Sequence, residues 1–215
     1  MDGGRGNNRK CNCVRHHLRF FNLWLKKPGQ LGAIFPSSKN LAAVVAAEID
    51  PSGEGVVVEL GGGTGSVTAA LLHRGIPPRD LVVIEREDSL CKIIRERFPH
   101  VRVICGDACD LGHLLASEGL DHVKAIVSGL PLLSLPKQVE RAIVKQCFNV
   151  LPADGFMLQF TYSPRPPMAR AIALELDLEA TRSAFVLENL PPASVWIYRR
   201  RCVSVLSGHH LRKSA

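Results

Sequence analysis

Glycines at 61, 62, 63 and 65 follow the apolar run Val56-Val-Val-Glu-Leu60 and precede Ser66-Val-Thr68, where an apolar helical pattern begins. Residues of these types in this order form a strand, a tight turn and a helix. Glycine has no Cβ and tolerates positive φ, so backbone N–H groups at the helix start can approach a ligand closely. The chemistry indicated is the holding of a nucleotide-like cofactor. A purely structural turn would use the same glycines, so the decision rests on what the later strands carry at their ends.

Three later segments carry such residues. Leu81-Val-Val-Ile-Glu85 ends in a carboxylate 24 residues after Gly61, a spacing at which an acidic side chain accepts from ribose hydroxyls. The dinucleotide pattern G-x-G-x-x-G would need Gly or Ala at position 66, where this chain has Ser. Val101-Arg-Val-Ile-Cys105 runs into Gly106-Asp107-Ala108, which puts a carboxylate within reach of an adenine amino group. Ala125-Ile-Val-Ser128 runs into Gly129-Leu-Pro-Leu132. Together, the motifs at these four strand ends resemble the S-adenosylmethionine-dependent methyltransferases of the Rossmann-like class over roughly residues 55–205. The resemblance implies S-adenosyl-L-methionine as cofactor and S-adenosyl-L-homocysteine as product. It implies a cofactor site of Glu59, Gly61, Gly62, Gly63, Thr64, Gly65, Glu85, Arg86, Asp107, Ala108 and Ser128.

The elements that must position these residues alternate. Helices are expected at Leu41 to Ile49, Thr68 to Arg74, Ser89 to Arg97, Cys109 to Ser117, Gln138 to Asn149 and Pro167 to Leu176, with Ser37 as an N-cap. Met157 to Thr161 reads as a fifth strand, and Ala184 to Glu188 with Val195 to Val205 as an antiparallel pair across Pro191-Pro192. The expected class is α/β: a Rossmann-like, seven-stranded, mostly parallel sheet with an antiparallel C-terminal hairpin and helices on both faces. The run Arg199 to Arg201 reads either as an exposed edge or as an extension of an anion-binding surface.

Composition bounds the rest. With 215 residues and 46% hydrophobic content the chain can bury one sizeable core, and no linker divides it. Seven scattered cysteines suit reduced thiols in a cytoplasmic protein. Cys11, Cys13, His16 and His17 match no standard zinc spacing. No apolar run reaches the roughly 18 residues of a membrane span, and the N-terminus lacks a signal-peptide core. The net charge of +7 is distributed unevenly: residues 1–27 carry +6, residues 199–215 carry +5, and the body carries −4. Such ends seek a polyanion, either nucleic acid or an anionic membrane.

From Cys13 to Lys27 the pattern is helical and amphipathic, with Val14, Leu18, Phe21 and Leu25 on one side. Arg15, Arg19, Lys26 and Lys27 with Phe20, Phe21 and Trp24 supply the cations and rings of an interfacial membrane anchor. The same segment could instead pack on the sheet. Three parts are expected: residues 1–27 as basic tail and helix, 28–205 as the catalytic domain, and 206–215 as a basic tail.

A closer resemblance rests on Phe21-x-x-Trp-Leu-x-x-Pro28, Gly32-Ala-Ile-x-Pro-Ser-Ser38, Glu59-Leu-Gly-Gly-Gly-Thr-Gly65, Ser128-Gly-Leu-Pro-Leu132 and Gln159-Phe-Thr-Tyr162. This series is similar to the bacterial phosphatidylethanolamine N-methyltransferases. That resemblance implies an aminophospholipid substrate at an anionic membrane surface, and a cytoplasmic enzyme held peripherally on the inner face of the cytoplasmic membrane. It implies Ile34, Phe35, Ser37, Ser38 and Pro131 around the substrate. Gly129 and Leu130 would orient the amine by their carbonyls, and Tyr162, with Phe35 or Trp24, would hold the growing cation by its ring face. The alternative is an RNA adenine dimethyltransferase, whose fourth motif has the form Asn-Leu-Pro-aromatic and stacks its ring on a flipped base. Here Gly129, Leu130, Pro131 and Leu132 stand in those places, so no ring is present and nucleic acid is not the expected partner.

Overall fold

The structure, a computed structural model, describes residues 37–189 and 191–201, and side chains from Lys39 onward. The expected helix from Cys13 to Lys27, with Arg15, Arg19, Phe20, Phe21, Trp24, Lys26 and Lys27, lies outside the described residues, as do Ile34, Phe35 and the basic tail after Arg201.

In chain order the elements are α1 (Ser37–Ala47), β1 (Val56–Leu60), α2 (Ser66–Arg74), β2 (Leu81–Glu85), α3 (Asp88–Arg97) and β3 (Arg102–Cys105). They continue with α4 (Leu111–Ser117), β4 (Val123–Ser128), α5 (Lys137–Val150), β5 (Phe156–Thr161), α6 (Arg170–Glu175), β6 (Leu178–Val186) and β7 (Ala193–Arg200). The seven strands form one sheet in the order β3-β2-β1-β4-β5-β7-β6. The pairings from β3 through β5 are parallel, whereas β7 runs antiparallel to both β5 and β6. The expected fold class is thus the one found.

The strand sequences show why. Val56 to Leu60 and Leu81 to Glu85 are apolar without alternation because both faces of a parallel sheet are covered. On one face Val58, Leu60, Ile126, Met157 and Tyr198 pack with Leu111 and Leu115 of α4 and Ile143, Val144, Cys147 and Phe148 of α5. On the other, Val57, Val83, Val127, Leu158 and Val195 pack with Leu41 and Val45 of α1, Leu71 of α2 and Ile94 of α3. In α5 the buried residues fall at 140, 143, 144, 147 and 148, the spacing of a single helical stripe.

The structure departs from expectation at four places. Strand β6 begins at Leu178, well before the expected Ala184, because Glu179, Thr181, Arg182 and Ser183 are exposed on an edge strand and give no apolar period. Helix α1 already includes Ser37, so that residue is not its N-cap. The arginine run is not an edge, since β7 lies between β5 and β6. Arg200 donates to Phe148 O and to Pro152 O (2.7 Å), where it meets the negative C-terminal end of α5, and Arg199 sits over the Phe156 ring. Arg201 lies 3.8 Å from Asp177. These arginines fasten loops to the sheet. Finally, Cys91 and Cys105, expected as separate thiols, are brought together by α3 and β3 with their Cα atoms 6.1 Å apart, while Cys109 and Cys147 are free. No helix among the described residues is long and apolar enough to cross a membrane.

Candidate active site

All the parallel strands end on one edge, and the chemistry-bearing residues gather there. A cleft at the ends of β1 and β4 is lined by Glu59, Gly61, Gly62, Gly63, Thr64 and Gly129, with Leu41 and Ala42 of α1, Leu90 of α3, Phe160 and Tyr162. The glycines divide their labour. A Cβ on Gly63 would meet nothing within 4 Å, and its φ of +55° favours glycine, so its backbone is open to a close ligand. A Cβ on Gly62 would lie 2.4 Å from Val83 Cγ1, and one on Gly65 would lie 2.5 Å from Phe98 Cε2. Those two glycines let the turn pack against the core. Of the expected cofactor residues the cleft's lining brings together Glu59, Gly61, Gly62, Gly63 and Thr64, whereas Gly65, Glu85, Arg86, Asp107, Ala108 and Ser128 stand outside it.

Glu85 fastens the turn from the neighbouring strand. Its Oε2 accepts from Gly63 N at 3.0 Å, and its Oε1 accepts from Arg86 N at 2.8 Å and Glu87 N at 3.0 Å. A carboxylate has about four acceptor positions. Three are filled, which leaves room for one ribose hydroxyl where the sequence suggests two. Asp107 Oδ1 accepts from Cys109 N at 2.9 Å, and Oδ2 lies 3.4 Å from Arg86 Nη1. Ala108 packs its side chain into the core, and Ser128 Oγ accepts from Leu130 N at 3.3 Å. Ala108 therefore has only main-chain groups to offer a ligand, and the Ser128 hydroxyl is already engaged by the loop after β4.

Glu59 is 2% exposed, and its Oε2 accepts from Thr68 Oγ1 at 2.6 Å. Burial pushes its carboxyl up to about 8 from 4.5, against the opposing effect of the Thr68 hydrogen bond. Such a group keeps its proton longer in the folded than in the unfolded chain. The stability it contributes is full below 4.5 and is lost as pH rises through about 8. The thermal midpoint of the free protein should fall across that window, since each tenfold difference in proton affinity between the folded and unfolded chain is worth about 1.4 kcal/mol. Glu59→Gln should flatten the profile; an unchanged slope in a pH series of thermal melts would show that another group is responsible.

A second groove adjoins the cleft, sharing Gly129, Phe160 and Tyr162 with it. It is also lined by Leu130, Pro131, Leu132, Leu133, Gln159, Thr161 and Pro167. Burial raises the Tyr162 phenol above its usual range, which keeps it neutral. Gln159 stands in a motif of the sequence without a role assigned to it there. Its one signal is a lone amide inside the otherwise apolar run Met157-Leu-Gln-Phe160.

The cradle therefore fits an adenosine-bearing ligand: open space above Gly63, a carboxylate with one free acceptor position, and a second carboxylate one strand further. Comparison with known proteins agrees. The methyltransferase domain family matches residues 57–155. The ornithine lipid N-methyltransferase of Singulisphaera acidiphila is 30% identical over 189 residues, covering 86% of this chain and 97% of that enzyme. A ribosomal RNA small subunit methyltransferase A from Sulfurihydrogenibium is 36% identical over 143 residues, covering 63% of this chain and 52% of that enzyme. Among solved structures, the 1,6-didemethyltoxoflavin-N1-methyltransferase of Burkholderia thailandensis, determined with S-adenosylhomocysteine, superposes with a TM-score of 0.63 at 13% identity, covering 94% of each chain. With the glycine turn, the strand-end carboxylates and near full-length similarity in agreement, the chain belongs to the S-adenosylmethionine-dependent methyltransferases, in the N-methyltransferase family of the Singulisphaera enzyme.

Proposed function

We propose that the substrate is the primary amine of a membrane aminolipid, phosphatidylethanolamine, converted by successive transfers to its monomethyl and dimethyl forms and to phosphatidylcholine. The observation that carries this reading is the junction of the cofactor cleft with a leucine- and proline-walled groove at Gly129, Phe160 and Tyr162. Such a groove suits a small polar group that arrives attached to an apolar body. Leu133 in the groove wall is 51% exposed, and Phe185 and Leu187 near the end of β6 are 47% and 72% exposed. Exposed apolar side chains favour contact with a bilayer. The basic segment of residues 1–27 would add attraction to anionic lipid. We place the enzyme peripherally on the inner face of the cytoplasmic membrane.

Bound in the cleft, S-adenosylmethionine supplies an electrophilic methyl group on sulfur. The chain's own residues align the amine and exclude water. If the amine titrates like lysine, near 10.4, exposing its lone pair at pH 7 costs about 4.6 kcal/mol. The Leu130 carbonyl, expected to orient the amine, already accepts from Gln159 Nε2 at 2.9 Å. Gly129 remains at the junction of cleft and groove. Tyr162, which lines both cleft and groove, would hold the cation that grows with each transfer.

Two other substrates have support. Ornithine lipid is named for the Singulisphaera relative and presents the same chemistry, an amine on a lipid. RNA has the partial similarity to the ribosomal RNA enzyme. However, Leu132 is 1% exposed in the core and provides no ring for a base. Protein, labelled cofactor and vesicles containing phosphatidylethanolamine and ornithine lipid, together with RNA, separate the readings. Label is expected in phosphatidylethanolamine. Label confined to ornithine lipid changes the substrate, and label confined to RNA overturns the lipid reading.

Membrane contact makes its own prediction. Deleting residues 1–27, or replacing Leu133 and Leu187 together with serine, should each weaken co-sedimentation with anionic vesicles by about tenfold, from lost charge attraction in one case and lost apolar burial in the other. Binding unchanged by either alteration would remove that part from the docking face.

A further inference from the structure

The groove beside the cofactor cleft contains a side chain that no part of the fold fully uses. Gln159 is 1% exposed, and its Nε2 donates to Leu130 O and to Phe160 O, both at 2.9 Å. Two carbonyls can only accept, so the amide cannot be turned around. Its Oε1 is consequently held in place, buried, and without a hydrogen-bond partner. Among the described residues three other buried side-chain atoms lack partners: Asn189 Oδ1, Ser194 Oγ and Trp196 Nε1. Of the four, only Gln159 belongs to a residue lining the groove, and Trp196, whose Nε1 also lacks a partner, is its neighbour across β5 and β7.

An orphaned buried acceptor has given up its hydrogen bonds to water and destabilises the fold. Such a cost is tolerated where a ligand offsets it. The position is suitable. Gln159 pairs with Ser128 across β4 and β5, and its amide grips the Leu130 carbonyl in the segment that forms the junction of groove and cleft.

We propose that the groove is the binding site for the acceptor amine, and that Gln159 Oε1 accepts a hydrogen bond from an amine N–H. The ligand class is an alkylamine bearing at least one N–H. This rests on the aminolipid reading. A neutral acceptor at this point holds the amine by an N–H and leaves the nitrogen lone pair free to face the methyl group. Before each transfer the resting ammonium loses one proton to solvent; the freed nitrogen lone pair then forms the new C–N bond as the S–CH3 bond breaks, and sulfur keeps that bond's electron pair.

The contact has a step dependence that a packing role lacks. The reactive neutral amine carries two N–H groups before the first transfer, one before the second and none before the third. Gln159 therefore orients the nitrogen in the first two transfers and has nothing to hold in the third.

The experiment measures kcat/KM for full-length protein on vesicles of phosphatidylethanolamine, its monomethyl form and its dimethyl form, comparing wild type, Gln159→Met and Gln159→Glu. Gln159→Met should slow the first two transfers about tenfold more than the third, the factor for one neutral hydrogen bond. Gln159→Glu keeps an acceptor oxygen but loses the grip on Leu130 O, so it should depress all three steps without that skew. If Gln159→Met slows all three alike, or none, the inference is wrong and Gln159 only supports the loop. A wild type inactive on all three lipids overturns the phosphatidylethanolamine reading itself, and this inference with it.

Discussion

Gly62→Ala should weaken S-adenosylmethionine binding by about a hundredfold, although no atom of that side chain need touch the ligand. The added methyl would sit 2.4 Å from Val83 Cγ1 and 2.8 Å from Ile94 Cδ1, both in residues with no exposed surface. A close-packed interior does not yield that space freely, and overpacking typically costs about 1–3 kcal/mol. The cheapest relief is to lift the turn away from β2, which breaks the 3.0 Å hydrogen bond from Gly63 N to Glu85 Oε2. A cofactor that needs those N–H groups in register loses them. Val83→Ala removes the first obstacle, so the double variant should recover most of the lost affinity, with a coupling energy of about 1–2 kcal/mol. Calorimetric titration of the wild type, both single variants and the double variant decides the matter. Binding within twofold of wild type for Gly62→Ala, or no recovery in the double variant, would show that the turn is not held by this contact.

The second large effect belongs to Glu85. Its carboxylate, in a residue 6% exposed, accepts from the backbone N–H groups of Gly63, Arg86 and Glu87. Glu85→Ala takes those three acceptor contacts away, at about 1–3 kcal/mol for each donor left unsatisfied, and removes the acceptor available to a ribose hydroxyl. Cofactor affinity should drop by a factor of about a hundred to a thousand, and the thermal midpoint should fall with it. Glu85→Gln is the finer probe. The two donors at Oε1 require an oxygen there, so the amide nitrogen must face Gly63 N, and only that bond is lost. Its affinity should lie between wild type and Glu85→Ala, with a smaller loss of stability. The Asp107→Ala variant should lose less than Glu85→Ala, because the Asp107 side chain is 34% exposed and solvent can replace its partners. If the order were reversed, the base-side carboxylate would be the main anchor.

Much of this is legible in the residues because it is locally encoded. The run from Val56 to Leu60, the glycines after it and the acid at Glu85 specify a strand, a turn and a strand end through chain properties alone: apolar content, absence of Cβ, and the position of a charge where an apolar run stops. By the same logic α2, α3 and α5 fall within one or two residues of their expected limits. The first half of β6 is not legible in this way, because edge residues such as Arg182 face solvent and carry no periodic signal. The arginines of β7 look in the sequence like a surface for anions, yet Arg199 and Arg200 bond to main-chain carbonyls of residues some fifty positions away.

The amino-acid sequence by itself determined the class of fold and the cofactor, since the motifs that carry them each occupy a short stretch of chain. Only the tertiary structure decided which glycines face a ligand and which face the core, that Gln159 holds an unpaired oxygen beside a groove, and that Cys91 meets Cys105. Those outcomes depend on which strands lie side by side. Strand order arises from the packing of both sheet faces at once, and no single segment carries it.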